Sequence, residues 1–210
     1  MKNKIITVDG PAGSGKERIA KYIANKWKLF HLDSGLLYRR VAYELLKNDV
    51  NIENENNIVK FIKKLKKLSS RNLRSLRTEK ISKITSKISV YKNVRNFINK
   101  QQRIMVEKKL KNKGCVIDGR DIGSVVFKKA NIKLYIEVEI KIRAKRRHKQ
   151  LIDMGEQSIY RRILKEIKLR DRKDKNRKNS PLVIPKCAHI IYNSNFFSST
   201  IKQLNKIIKK

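Results

Sequence analysis

Gly10-Pro11-Ala12-Gly13-Ser14-Gly15-Lys16 has the composition and spacing of a loop that binds phosphate. The pattern Gly-x4-Gly-Lys lets successive backbone N–H groups curl around phosphate oxygens, while Lys16 supplies a compact positive charge toward the β and γ phosphates. The apolar run Ile5-Ile6-Thr7-Val8 precedes it and a segment with helical spacing follows. That is the setting such a loop requires, because the helix after it turns its positive end to the anion. Glu17 stands where Ser or Thr would be expected to help hold Mg2+, and Arg18 comes next. The nucleotide-binding set read from this stretch is Gly10, Pro11, Ala12, Gly13, Ser14, Gly15, Lys16, Glu17 and Arg18.

Two more polar segments follow apolar runs in the same way. Asp33-Ser34-Gly35 with Tyr38-Arg39 follows Leu29-Phe30-His31-Leu32, and Asp118-Gly119-Arg120-Asp121-Ile122-Gly123 follows Cys115-Val116-Ile117. Runs at 132–138 and 188–192 complete the strand signals. Between them Ile19, Ile23 and Trp27, then Leu37, Val41 and Leu45, recur at helical spacing, and 143–154, 158–171 and 199–209 also read as helices. Residues 55–112 read as mostly helical: Ile58, Phe61, Ile62 and Leu65 form one face, and Ile81, Ile84 and Ile88 resume it after a polar break at 69–72. Strands separated by helices imply a parallel sheet with right-handed crossovers and a ligand site beyond the strands' carboxyl ends. All three polar segments fall on that rim. Arg170, Asp174 and Arg177, at i, i+4 and i+7, share one helix face.

A chain of 210 residues with 40% hydrophobic residues suits a single α/β domain. The net charge of +36 first suggests nucleic acid, but the basic residues are spread along the whole chain and are mainly Lys. A solvated coat of this kind implies nonspecific, salt-sensitive attraction to polyanions and no dedicated nucleic-acid site. With no run near the ~20 apolar residues that span a bilayer and no signal segment before the first strand, the expected location is the cytoplasm, away from membranes. Cys115 and Cys187 lack metal-ligand spacing and are expected to be small buried hydrophobes.

The phosphate loop, Leu32-Asp33-Ser34-Gly35-x-x-Tyr38-Arg39, Leu76-Arg77-Thr78, Val94-Arg95, Gln102-Arg103, the segment 117–127, Arg170-Asp171-x-x-Asp174-x-x-Arg177 and Ser180-Pro181-Leu182 occur in the order and spacing of bacterial cytidylate kinases. The resemblance covers nearly the whole chain. Its segments after the third and within the last long helix separate it from adenylate, thymidylate and shikimate kinases. It implies an α/β P-loop nucleoside monophosphate kinase fold. A parallel core (about 1–35 and 112–210) would bear an inserted helical monophosphate-binding region (about 36–111) and a lid (about 147–178). The implied reaction passes the γ-phosphoryl of ATP, with Mg2+, to CMP or dCMP. By resemblance Lys16 holds the ATP phosphates, and Arg39, Arg120 and Arg177 clamp the CMP phosphate, with Lys16, Arg120 and Arg177 as the catalytic set. Ser34 belongs to the substrate site, Ser86, Arg95 and Asp121 read cytosine, and Arg170 and Asp174 hold the sugar. Arg143, Arg146 and Arg147 are placed to approach the transferred phosphoryl.

The chain departs from the family at Glu17-Arg18, where Gly-Thr is usual, which implies altered metal handling unless Arg18 or the metal offsets the Glu17 charge. The inserted region is short and should be mostly helical, and Asn193 replaces an Asp common after the last strand. A monomer is expected, with no protein-built metal site. The rival readings are the same fold with another pyrimidine monophosphate acceptor such as UMP, and a basic RNA-associated protein that has kept the fold and lost catalysis.

Overall fold

The apolar runs become five parallel strands in a computed structural model that describes residues 3–65, 68–69 and 74–208. They are β1 (Ile5–Asp9), β2 (Phe30–Asp33), β3 (Cys115–Gly119), β4 (Ile132–Glu137) and β5 (His189–Tyr192), in the order β2-β3-β1-β4-β5. The helices are α1 (Lys16–Trp27), α2 (Ser34–Lys47), α3 (Glu55–Lys64), α4 (Glu79–Ile88), α5 (Lys92–Leu110), α6 (Ile140–Asp153), α7 (Tyr160–Asn176) and α8 (Phe197–Ile207). A short 3-10 turn, Arg74–Arg77, precedes α4, and a π-helical turn, Ile122–Val126, follows β3. The expected polar break falls largely outside the described residues.

Strand periodicity divides the core. In β3, Cys115 and Ile117 pack with Leu37, Val41, Ile98 and Val106 of α2 and α5. Val116 turns the other way, joining Ile6 and Val8 of β1, Ile19 and Ile23 of α1, and Leu204 of α8. A third, small cluster of Ala144, Ile163 and Ile167 joins α6 to α7. The Asp33 carboxylate caps α2, accepting from Leu36 N–H at 3.1 Å. Thr78 does the same for α4 through Ile81 N–H at 3.3 Å.

Cys115 is buried as expected, but Cys187 is exposed. It lies in a turn with a left-handed backbone, φ 60°, ahead of the edge strand β5, where Ile191 alone of the four strand residues is buried. An apolar run therefore did not place its first residue in the core. α7 extends past the expected end at 171 to Asn176, so Arg170 and Asp174 are helical while Arg177 is its cap, in extended backbone at φ −66° and ψ 137°.

The clusters predict different responses to truncation. Ile117→Ala, in a strand covered on both faces, should lower global stability by about 2–5 kcal/mol in chemical denaturation. Ile163→Ala should instead chiefly speed amide exchange in α6 and α7, because that cluster is small and peripheral. Equal global losses from both would show that the helix pair unfolds together with the sheet.

Candidate active site

β1 delivers the phosphate loop at its carboxyl end, and the loop is held from behind. Arg143 of α6, buried, donates to the carbonyls of Ala12 (3.0 Å) and Val138 (3.1 Å) and pairs with Asp171 at 2.6 Å. Asn193, after β5, donates to Ser14 O at 2.8 Å and is itself oriented by the Thr200 hydroxyl at 2.9 Å. Gly15, at φ 80°, takes a left-handed backbone and leaves no room for a side chain: a Cβ would lie 2.7 Å from Asn193 Nδ2. Gly15 gives α1 no side-chain cap, so the N–H groups of the first turn stay available for an anion. Lys16 Nζ folds over the loop onto Pro11 O at 3.1 Å. Burial, followed by the nearby Arg120, pushes its pKa down to about 7.

Asp9, the last residue of β1, was not read as functional from the sequence. Its two carboxylate oxygens accept from Ile122 N–H (2.8 Å) and Gly123 N–H (2.7 Å) of the loop after β3. Gly123 permits the approach, since a Cβ there would lie 2.7 Å from Thr7 Oγ1. Burial raises the Asp9 pKa to about 7, against the lowering effect of those two donors. The available signal was a charged residue ending an otherwise apolar strand immediately before Gly10.

The loop that Asp9 anchors presents Arg120 and Asp121. Arg120 Nε meets Asp174 at 2.9 Å, Asp174 lies 3.6 Å from Arg177 Nη1, and Arg177 Nη2 lies 3.6 Å from Asp121. Asp121 takes Arg95 Nη2 at 2.5 Å, and Arg95 also donates to Ser89 O at 3.0 Å. Arg177 is steadied by its Nε donating to Ser180 O, from a residue with left-handed backbone, φ 54°. The structure thus joins Arg95, Arg120, Asp121, Asp174 and Arg177, drawn from α5, the β3 loop and the end of α7, in one chain of contacts. Arg170 lies beside Arg120, Asp174 and Arg39; burial and those neighbouring guanidiniums push its pKa down to about 10, so it stays charged at neutral pH. Arg39, on α2, donates to Leu76 O (3.0 Å) and Ser82 Oγ (2.9 Å). Ser34 is buried in the first turn of α2, against Gly119.

Ser86 is not part of this chain of contacts: it is half-buried on α4. Its neighbour Thr85 is the buried one, and Thr85 Oγ1, Tyr38 Oη, Arg95 Nε and Arg177 Nη2 are buried without a hydrogen bond. Arg95 sits with its guanidinium carbon 5.5 Å from the centre of the Tyr38 ring. The Tyr38 hydroxyl and Arg95 Nε, buried beside these guanidiniums without a hydrogen bond, mark a place built for a polar, anionic ligand. Arg143 supports the loop from behind, and Arg146 and Arg147 are exposed, with Arg147 bonded to Gln150 at 3.0 Å. Arg18 does not offset Glu17: its guanidinium stacks 4.0 Å from the Phe197 ring. Arg77 offsets it, through contacts of 2.8 and 3.2 Å.

Polyphosphate binding should draw a proton. Free Lys16, near pKa 7, is mostly neutral at pH 8, whereas phosphate beside it favours the charged form. Calorimetry of nucleoside triphosphate binding in buffers of different ionisation enthalpy should show uptake approaching one proton at pH 8, little from this group at pH 6, and none at pH 8 in Lys16→Met. Equal uptake by the variant would exclude Lys16 as the acceptor.

A sequence profile of the family described as Cytidylate kinase matches residues 6–210. The chain is 38% identical to the cytidylate kinase of Bartonella tribocorum, over 91% of this chain and 87% of that protein. It is 36% identical to the cytidylate kinase of Thermosipho melanesiensis, over 98% and 96% respectively. The shikimate kinase structure from Bacteroides thetaiotaomicron superposes at a TM-score of 0.50 with 11% identity, covering 97% of each chain, a likeness of fold alone. Sequence likeness of this extent, over the strands and loops that assemble the cleft, decides the matter: the chain belongs to the cytidylate kinase family.

Proposed function

We propose that the chain transfers the γ-phosphoryl group of ATP to CMP or dCMP, giving ADP and the diphosphate, with the roles divided along the cleft just described. The observation that supports this most directly is the cluster of Arg39, Arg95, Arg120, Arg170 and Arg177 around Asp121 and Asp174, next to Lys16. Lys16 and the first N–H groups of α1 hold the ATP phosphates. Arg39, Arg120 and Arg177 clamp the acceptor phosphate, for which the guanidinium fork is suited because it meets two oxygens at once. An acceptor oxygen attacks the γ-phosphorus in line, the bond to the β-phosphate oxygen breaks, and ADP departs. Such a transfer needs positioning and neutralisation of charge more than covalent help from the protein.

Asp121, oriented by Arg95, accepts from the exocyclic amine of cytosine. Uracil presents a carbonyl there and would leave that carboxylate without a donor. Tyr38, beside Arg95, adds a buried hydroxyl without a hydrogen-bond partner, and Ser86 belongs to the same base-reading set. Arg170 and Asp174 face the sugar. Mg2+ enters on ATP, and the Glu17 carboxylate beside the loop is engaged by Arg77. A small hard cation of this kind keeps most of its waters and binds chiefly through substrate phosphates, where it neutralises developing charge. The helices α6 and α7 supply the lid. Among the described residues no helix is long and apolar enough to cross a membrane, in keeping with a cytoplasmic site of action.

A coupled assay of ADP release across CMP, dCMP, UMP and AMP tests the reading. CMP and dCMP should be turned over far better than the others, and Lys16→Ala should abolish transfer while the chain stays folded. Asp121→Asn, whose amide can donate to a uracil carbonyl, should lower kcat/KM for CMP by ~1–3 kcal/mol and narrow the preference over UMP. Equal losses on both acceptors would remove Asp121 from base reading. Submicromolar RNA affinity at physiological salt without any transfer would replace the enzyme by a binding protein.

A further inference from the structure

Glu17 directly follows Lys16, in the first turn of α1, and both of its carboxylate oxygens are taken by one guanidinium: Arg77 Nη2 at 2.8 Å and Nη1 at 3.2 Å. Arg77 stands 60 residues away, at the end of the 3-10 turn ahead of α4. The same Arg77 Nη2 lies 3.8 Å from Asp33, the cap of α2, and Lys21 completes the Glu17 contacts at 2.8 Å from the same helix. Burial pushes the Glu17 carboxyl up, but the hydrogen bonds from Arg77 and Lys21 outweigh it and bring the pKa down to about 2, so Glu17 is ionised throughout the working range.

The 3-10 turn also supports the acceptor clamp. Leu76, next to Arg77, is fully buried, and its carbonyl receives Arg39 at 3.0 Å. A continuous path therefore runs from the first turn after the phosphate loop, through the Glu17–Arg77 pair and the turn at Leu76, to the guanidinium of Arg39. The pair is partly exposed, 32% at Glu17 and 44% at Arg77, which limits its share in global stability. Its two-point geometry fixes where the turn sits relative to the loop, which a single contact does not.

We propose that Glu17 is a positioning residue which, by holding Arg77, ties the acceptor-side helices to the ATP loop, so that filling either nucleotide site tightens the other. The proposal rests on the kinase reading above. Phosphates arriving at the loop add to the negative field that Glu17 already sets up around the Arg77 guanidinium, so Arg77 is drawn more firmly to this end of the cleft. A held Arg77 keeps the turn, and with it Arg39, where the acceptor phosphate binds. By linkage the acceptor must then favour ATP to the same degree.

Calorimetric titration of CMP into the full chain, with and without saturating β,γ-methylene ATP and Mg2+, measures this coupling directly as the ratio of the two CMP Kd values. The unaltered chain should bind CMP more tightly in the presence of the analogue. Glu17→Gln and Arg77→Met should each shrink that ratio by about three- to fivefold, and the double variant by no more than either alone, as for two ends of one contact. The thermal midpoints should stay close to that of the unaltered chain, which separates positioning from a merely structural effect. A ratio that is unchanged in both variants overturns the proposal. So does a change in Glu17→Gln without one in Arg77→Met, because Glu17 would then act on the nucleotide or its metal directly. If the unaltered chain neither binds CMP nor phosphorylates it, the kinase reading fails and the proposal falls with it. Turnover on CMP with an unaltered ratio in the variants sinks the proposal alone.

Discussion

The carboxylate of Asp9 holds the loop after β3 against the end of β1, and both halves of the site depend on where those two loops lie. Its oxygens accept the backbone N–H groups of Ile122 and Gly123, while the next residue, Gly10, opens the phosphate loop. Arg120 and Asp121 thereby receive fixed positions relative to Lys16, which is the relation that a transfer between two phosphates needs. The arrangement has a thermodynamic cost. Burial raises the Asp9 pKa from its ordinary 3.8 to about 7, so the folded chain binds this proton more tightly than the unfolded one, and the contribution of Asp9 to stability falls as pH rises between those values. Two well-placed N–H donors offset part of the burial without cancelling it.

Around that anchor the cleft accumulates positive charge in two different forms. The coat that makes the chain +36 is exposed and scattered: Lys145, Lys149, Arg161, Arg162 and Lys165 stand on the outer faces of α6 and α7 and are well solvated. The site's cations are crowded and partly dehydrated, as the lowered pKa values of Lys16 and Arg170 show. Crowding without full neutralisation leaves binding energy for an anionic ligand, because phosphate would satisfy donors that Asp121 and Asp174 only partly occupy. Salt screens the first kind of charge far more than the second.

The phosphate loop shows how supporting contacts turn a flexible sequence into a shaped cradle. Its glycines permit the turn but do not define it. Arg143 and Asn193, from opposite ends of the later sequence, draw back the carbonyls of Ala12 and Ser14. Asn193, where the family often has Asp, suits that place because its amide can donate to Ser14 O while its oxygen accepts from Thr200. Glu17 likewise finds its counterion in Arg77 and not in the adjacent Arg18, which stacks on Phe197.

Local sequence was enough to place the strands, the phosphate loop and the helices of residues 55–112, features that rest on periodicity and spacing acting over a few residues, whereas the acceptor residues came from resemblance to the family. The tertiary structure decided what depends on distant partners: Asp9 as the anchor of the β3 loop, Arg143 as a support for the phosphate loop, the Glu17–Arg77 pair, the π-helical turn after β3, and the exposure of Cys187. Each of these is set by a contact between segments far apart in the chain, or by lying in a turn ahead of an edge strand, and no local pattern of residue types encodes that. The sequence by itself determined which side chains could bind phosphate; only the packing of β1 against β3, and the reach of Arg77 from the turn before α4 to Glu17, decided which of them meet.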